Sequence, residues 1–582
     1  MGTAARAPQH RPGTAGTAST RTAVAAPRRH AHPLHRLQQT RGNLAAQRLL
    51  HAPAPAPGLT SREPSRRRAR GARGARPSAS AVVPAVQRFA EGEHKAVGDV
   101  ATGQRTIFLA PDMPVTYGDI VALGGDLFGE WSDIIRLART PGITRGTRGE
   151  VWYAILVKVR ANLEGRSEKE VEAEWLGRAF DQQAKAAVEA RYAALAAENI
   201  PHFANPREGD TARSQALKSA GPTAIGAGAT YRSNHATALM VAAAIGARHR
   251  VRPLSPGRLN DALLLEAFAG HFLTDAFAAG HQQTARASVR DYWDAKVPQF
   301  WTNFQQWLAA RVTLELRRNP RTRESRIGAH LDPQWVVEQI ALPSVRRAVA
   351  SLPQLGFGDL MSGAIHDYFN RHGVQADVAG RRITLVGDSR LLSKAVRDSP
   401  DLNQRTRHVT DESRDTFSAM VAAVQAGIAE VHAAGEMGRA GEDPERVPAT
   451  ILDAAGGLFA AEQLLPAIAP DATVADPRQR SLSWKLASYL DVLSDPRLSE
   501  GLTISIGKYA NQVGSLSGLS KEQMDAVMGV LIVRMKGGQA SVVRLIREVI
   551  EYTPIRTDAG FNPYRLQDLG EFRRGISEGA FD

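Results

Sequence analysis

The stretch HFLTDAFAAGH, residues 271–281, decides how this sequence is read. It is apolar and helical in character, yet it carries His271, Asp275 and His281. An apolar helix buries such groups at a cost unless they find partners. His271 and Asp275 are four residues apart, so on a helix both face one side, about 6 Å apart along the axis. Two ligands at that spacing can hold one metal ion, or the aspartate can bridge two. His281 lies ten residues beyond His271, about 15 Å along an unbroken helix, too far to reach the same ion. Gly280, just before it, is placed to end the helix in a left-handed cap and to turn His281 back toward the cavity. The pattern predicts a site for several metal ions. The competing reading is a satisfied core histidine with a capping aspartate.

Outward from this stretch, residues 90–435 carry mostly helical periodicity. Helices are expected over 151–200, 235–247, 258–279, 288–317 and 414–434, with Trp293, Trp301 and Trp307 as core residues. VQADVAGRRITLVGD, 374–388, predicts a β-hairpin turning at Ala-Gly. AGEMGRAGEDPERVP reads as a linker, set at 436–448, and 449–582 as a smaller helical unit with Gly and Pro breaks. The fold class expected is all-α: a helical domain over 81–435 with one small hairpin, behind a disordered basic leader.

That leader, 1–80, is rich in Ala, Pro, Gly, Arg and Ser, and such a composition cannot bury enough apolar surface to offset its ordering entropy. One amphipathic island interrupts it at 34–50. The net charge of +14 belongs to this end of the chain. Residues 1–90 hold 16 arginines, no lysine and one acid, Glu63. Of the 73 basic and 59 acidic residues in all, 57 and 58 remain for the rest, which is close to neutral. The folded part therefore carries no charge signature of a nucleic-acid binder. Arginine runs in the leader lack the aromatics that stack on bases, so nucleic acid is the less favoured partner. The chain has no cysteine, which excludes disulfides, thiolate metal sites and a cysteine nucleophile. Neither a secretory signal nor a spanning helix is expected, which points to cytoplasmic synthesis and, if exported, a route that reads no such signal. A phosphate-binding loop ending in Lys-Ser/Thr and an HExxH pair are both missing.

H-x3-D-x5-H, as it stands in 271–281, resembles the signature of the zinc-dependent phospholipases C and the related fungal-type zinc nucleases. Softer pieces follow in the family's order: EHKAVGD at 93–99, YGDIVALGGDLFG at 117–129, ENIPHFANP at 198–206, SNHATALMVAAA from 233 and AIHDYFNRHG at 364–373. The resemblance implies an all-α domain with two or three zinc ions in a cleft. It implies that Asp126, His202, His271 and Asp275 hold one zinc, that His94 shares Asp275 with a neighbouring one, and that His281 and His366 hold the third. It makes Asp126 the first choice and Asp119 the second for the carboxylate that acts as general base, and it places His235 behind the ligands. Two departures stand out. The family's last His-x3-Glu pair is here His366 and Asn370, with Asp367 adjacent but turned about 100° away on a helix. The family's amino-terminal Trp ligand has no counterpart near His94, where Glu93 is the nearest substitute.

LHRLQQTRGNLAAQRLL, 34–50, resembles short segments of proteins associated with extracellular contractile injection systems. This implies a loading or sorting segment, with components of such a system as partners and the folded part as exported effector or toxin cargo. The function expected is a zinc-dependent phosphodiesterase of the phospholipase C type, acting on phospholipid at a membrane surface. The alternatives are a single-strand nuclease or nucleotidase built on the same site, and a non-catalytic structural or adaptor component of an injection system.

Overall fold

The run NDALLLEAFAGHFLTD folds as one helix, Asn260–Asp275, whose residues from Ala262 onward are all buried. In the computed structural model the structure describes residues 91–552, apart chiefly from 140–148, most of 161–201, 204–225, 319–354, 393–411 and 514–537. The leader and its island at 34–50, with most of the helix expected over 151–200, lie outside the described residues.

In chain order the main elements are α1 (Glu91–Thr102), β1 (Thr106–Ala110), β2 (Met113–Thr116), α2 (Tyr117–Leu123), α3 (Trp131–Arg139), α4 (Gly149–Trp152), α5 (Ala227–Arg248), α6 (Asn260–Asp275) and α7 (Ala279–Gln283). Then come α8 (Arg286–Lys296), α9 (Phe300–Arg318), α10 (Phe357–His372), β3 (Val374–Val378), β4 (Arg381–Leu385), α11 (Arg414–Ala440), α12 (Val447–Ala454), β5 (Ala467–Ile468), α13 (Tyr489–Ser494), α14 (Pro496–Val513) and α15 (Gln539–Ile550). Helix dominates, as expected. The helix read as one block over 288–317 is two, α8 and α9, and Trp293 and Trp307 are buried as expected.

The hairpin predicted at 374–388 is β3–β4, paired from Val374↔Leu385 to Val378↔Arg381. Ala379 and Gly380 both take positive φ, 48° and 80°, the left-handed pair a two-residue hairpin turn demands. β5 extends this sheet to three strands. A second hairpin, β1–β2, was not expected.

The helix α6 packs against α5, α2 and α11. Helices α5 and α11 cross closely because small residues line their contact: a Cβ on Gly438 would run into the Ala243 carbonyl, and one on Gly246 into Gly435. Helix α11 has the length and apolar composition of a membrane span, with 39% of that window buried. It crosses the expected linker: the helix runs to Ala440 and ends at Gly441, whose φ of 109° stops it. The segment set at 436–448 thus reduces to a short turn before α12. The described part of 449–582 packs on what precedes it. Helix α14 lies along α10, and Trp293 Nε1 donates to the Trp484 carbonyl at 3.0 Å.

Candidate metal centre

The carboxyl-terminal turn of α6 builds the centre. Asp275 is fully buried, and four imidazoles approach its two oxygens. His202 Nδ1 lies 2.6 Å and His271 Nε2 3.2 Å from Oδ2, while His281 Nδ1 lies 3.2 Å and His94 Nε2 3.6 Å from Oδ1. Asp126 Oδ1 is 3.9 Å from His271 Nε2. Thus six of the seven residues expected from the sequence to be ligands, His94, Asp126, His202, His271, Asp275 and His281, are brought together and buried, and the seventh, His366, stands beside His281.

Hydrogen bonds behind the rings decide which nitrogens face inward. His271 Nδ1 donates to the Val121 carbonyl at 2.9 Å, which leaves Nε2 with its lone pair toward Asp275. Thr274 Oγ1 donates to the carbonyls of Gly270 and His271, at 2.9 and 2.8 Å. It therefore accepts from His94 Nδ1 at 2.7 Å, and His94 Nε2 also turns inward as an acceptor. Burial, followed by the neighbouring His271, lowers the His94 pKa to about 3, so this imidazole is neutral at ordinary pH. Burial pushes the Asp275 carboxyl up, but His281, His271 and His202 together outweigh it and hold the pKa well below the usual range.

This donor set fits a cation. Two ligands of one tetrahedral zinc, each at about 2.0–2.1 Å, stand about 3.3 Å apart. His271 Nε2 is 3.1 Å from His202 Nδ1 and 3.2 Å from Asp275 Oδ2. Two groupings meet the spacing of a metal site, His94–Asp126–His271 and His202–His271–Asp275, and they share His271. Neither ring nitrogen of His281 makes a hydrogen bond, and Asp275 Oδ1 accepts none. Buried imidazole and carboxylate normally do both, so an ion is the natural partner.

The loop after α2 makes room for the rings. Gly125 has φ +67°, and a Cβ there would run into both His202 Cε1 and His271 Cδ2. Only glycine meets the backbone angle and the close approach together. Asp126 follows, in a turn where its N–H reaches the Gly124 carbonyl at 2.6 Å.

Several expectations need correction. Helix α6 ends at Asp275 rather than at Gly280: Phe277 N–H returns to the Thr274 carbonyl at 3.0 Å, and Ala278 N–H to that of Asp275 at 3.0 Å. These turns reverse the chain, and Gly280 lies inside α7. Asp119 is committed elsewhere. Its Oδ2 caps α2 by accepting the Thr116 N–H at 2.8 Å, and its Oδ1 is 2.7 Å from Lys95 Nζ. Glu93 clamps backbone, accepting the N–H groups of Leu391 and Leu392 at 2.9 and 3.2 Å. His235 does not stand behind a ligand. It lies between Glu266 (2.5 Å) and Glu430 (3.1 Å), joining α5, α6 and α11.

His366 approaches the centre from α10, its ring 5.2 Å from that of His281, with Phe203 packed on both. Its Nδ1 is 3.1 Å from Asp367 Oδ1 and its Nε2 3.1 Å from Asn370 Nδ2. Thr274, Gly125 and Lys508 shape the site without having been singled out in the sequence. Only Thr274, inside the quoted stretch, carried a signal: a hydroxyl on a buried helix face. No protein family matches this chain, and no curated protein or solved structure does either.

Proposed function

We propose that this chain is a zinc-dependent phosphodiesterase of the phospholipase C type, acting on lipid headgroups. The observation that carries the reading is the convergence of His94, His202, His271 and His281 on Asp275, with Asp126 beside His271. Bound there, zinc supplies a water acidified toward neutral pH and a cationic seat for phosphate oxygens. The protein's own part is orientation. Val121 and Thr274 fix the tautomers of His271 and His94, so neither ring must turn or lose a proton to present its lone pair. Asp275 offers its two oxygens to opposite sides. Asp126, on its tight turn, is the carboxylate assigned to orient the attacking water and take its proton. Such chemistry needs no covalent nucleophile, in keeping with a chain that has no cysteine.

The test is elemental analysis of the full chain, purified without chelator and supplied with zinc, beside a His271→Ala/Asp275→Ala variant. Bound zinc that the variant loses, with phosphatidylcholine cleaved in preference to single-stranded DNA and cleavage abolished by Asp126→Asn, is the expected result. No stoichiometric metal would sink the metallohydrolase reading. Lipid cleavage undiminished in Asp126→Asn would remove Asp126 from its role.

A further inference from the structure

Helix α14 sends one side chain toward the centre. Lys508 Nζ, 26% exposed, stands 2.6 Å from Asp367 Oδ1, whose residue is 4% exposed. The same oxygen is 3.1 Å from His366 Nδ1. An ionised carboxylate only accepts, so His366 Nδ1 carries the proton and Nε2 is left as an acceptor. Asn370 answers it. Gly280 N–H donates to Asn370 Oδ1 at 3.0 Å, which sets the amide's orientation and brings Nδ2 against the His366 ring, 3.1 Å from Nε2 and 3.4 Å from Nδ1. Polar contacts thus run unbroken from an ammonium on α14 to the backbone of α7.

The far end of the chain is one residue from His281. Helices α7 and α10 touch so closely here that a Cβ on Gly280 would run into Asn370 Oδ1 and lie 2.6 Å from the His366 carbonyl. Asn370, together with the Val386 carbonyl that accepts the Ala279 N–H at 3.0 Å, therefore sets where α7 begins, and with it where His281 meets Asp275. The seat of α14 on α10 is equally tight: a Cβ on Gly501 would run into the Ala364 carbonyl, and one on Gly363 would lie 2.6 Å from Ser505 Oγ. His372 Nε2 and Glu500 Oε1 add a contact at 2.9 Å.

We propose that Lys508 is a positioning residue of the metal centre, acting through Asp367, His366 and Asn370 on His281, and that His366 is a link in this network rather than a ligand. The centre then takes two ions, and the region beyond residue 449 is needed to form the second seat. The proposal rests on the metal-centre reading above.

The experiment titrates the full chain, its Lys508→Met variant and its Lys508→Arg variant with zinc against a competing chromophoric chelator, and melts each protein metal-free. Wild type is expected to bind two ions. Lys508→Met should keep the tighter ion and lose at least about tenfold in affinity for the weaker one, the usual effect of removing a group behind a ligand. Lys508→Arg should restore it, with the metal-free melting temperatures alike. Three ions in wild type would overturn the proposal, because His366 would then have to coordinate. So would a Lys508→Met titration identical to wild type, or an equal loss at both ions that arginine does not rescue. No metal in any of the three proteins would overturn the metal centre itself, a separate failure that the wild-type titration alone reveals.

Discussion

Gly125→Ala should damage the centre more than any other single methyl group. The added Cβ would lie 2.6 Å from His271 Nε2 and closer still to the carbons of both facing rings. Comfortable contact begins at about 3.5 Å, so one or both imidazoles must retreat by about 1 Å. Metal bonds tolerate about 0.2 Å. The backbone angle, φ +67°, adds about 1–2 kcal/mol for a residue with a side chain. Two effects should therefore separate. The metal-free protein loses about 1–2 kcal/mol by urea denaturation, which the fold survives. Zinc affinity falls by at least about 100-fold, beyond the upper end of what losing a group behind a ligand costs, because the ligands themselves move. Competition titration reads this directly. A Gly125→Ala protein that binds zinc with wild-type stoichiometry and affinity would refute the packing argument, and with it the claim that His202 and His271 face one ion across this loop.

Two further outcomes follow from buried charges away from the ligands. Lys95, 4% exposed, holds Asp99 and Asp119 at 2.8 and 2.7 Å, so Lys95→Met leaves two buried carboxylates uncompensated; a loss of about 3–5 kcal/mol in urea denaturation is expected, and one under about 1 kcal/mol would contradict it. Burial alone would lower the His235 pKa, but Glu266 and Glu430 outweigh it and raise it from 6.5 to about 9. Its stabilisation is therefore complete below about pH 6.5 and is lost as pH rises through about 9, on the order of 3 kcal/mol in all. Unfolding curves at pH 6 and pH 9.5 should show that difference in wild type and not in His235→Gln; equal slopes in the two proteins would rule it out.

The parts of the centre that depend on helical spacing were legible in the sequence. His271 and Asp275 share a face because four residues make about one turn, and nothing tertiary can undo that. The return of His281 was also expected, but its cause was misplaced. Glycine at 280 resembles a helix terminator, whereas the chain actually turns through Ala276–Ala278, and the glycine serves the contact with Asn370. Asp119 is a candidate base only because it shares with Asp126 the family-like segment 117–129; Thr116, three residues earlier, carries the opposing signal of a capping box. The hairpin β1–β2 is masked in the sequence because its strands are only five and four residues long and Pro114 interrupts the second. Lys508 was beyond reach for a different reason. Its partner Asp367 is 141 residues away, and only the crossing of α14 over α10 brings them together.

Two buried polar clusters lie on α6, and their difference argues for what each does. Around His235 every need is met within the protein. Both ring nitrogens face carboxylate oxygens, and Glu430 Oε1 also accepts the Ala460 N–H at 2.8 Å. An imidazole between two acceptors must be a cation, so this cluster is an internal ion bridge that ties three helices. Around Asp275 the sense is reversed. His94 is neutral, the inward nitrogens of His271 and His94 are acceptors, and Asp275 and Asp126 are acceptors as well. His202 Nδ1 meets Asp275 Oδ2 at 2.6 Å, but elsewhere acceptor faces acceptor, and His281 adds two ring nitrogens with no hydrogen bond. Such a set is less well satisfied by the protein alone than the His235 cluster. A divalent cation converts these repulsions into attraction, and among the described residues no other grouping of His, Asp or Glu meets the spacing of a metal site.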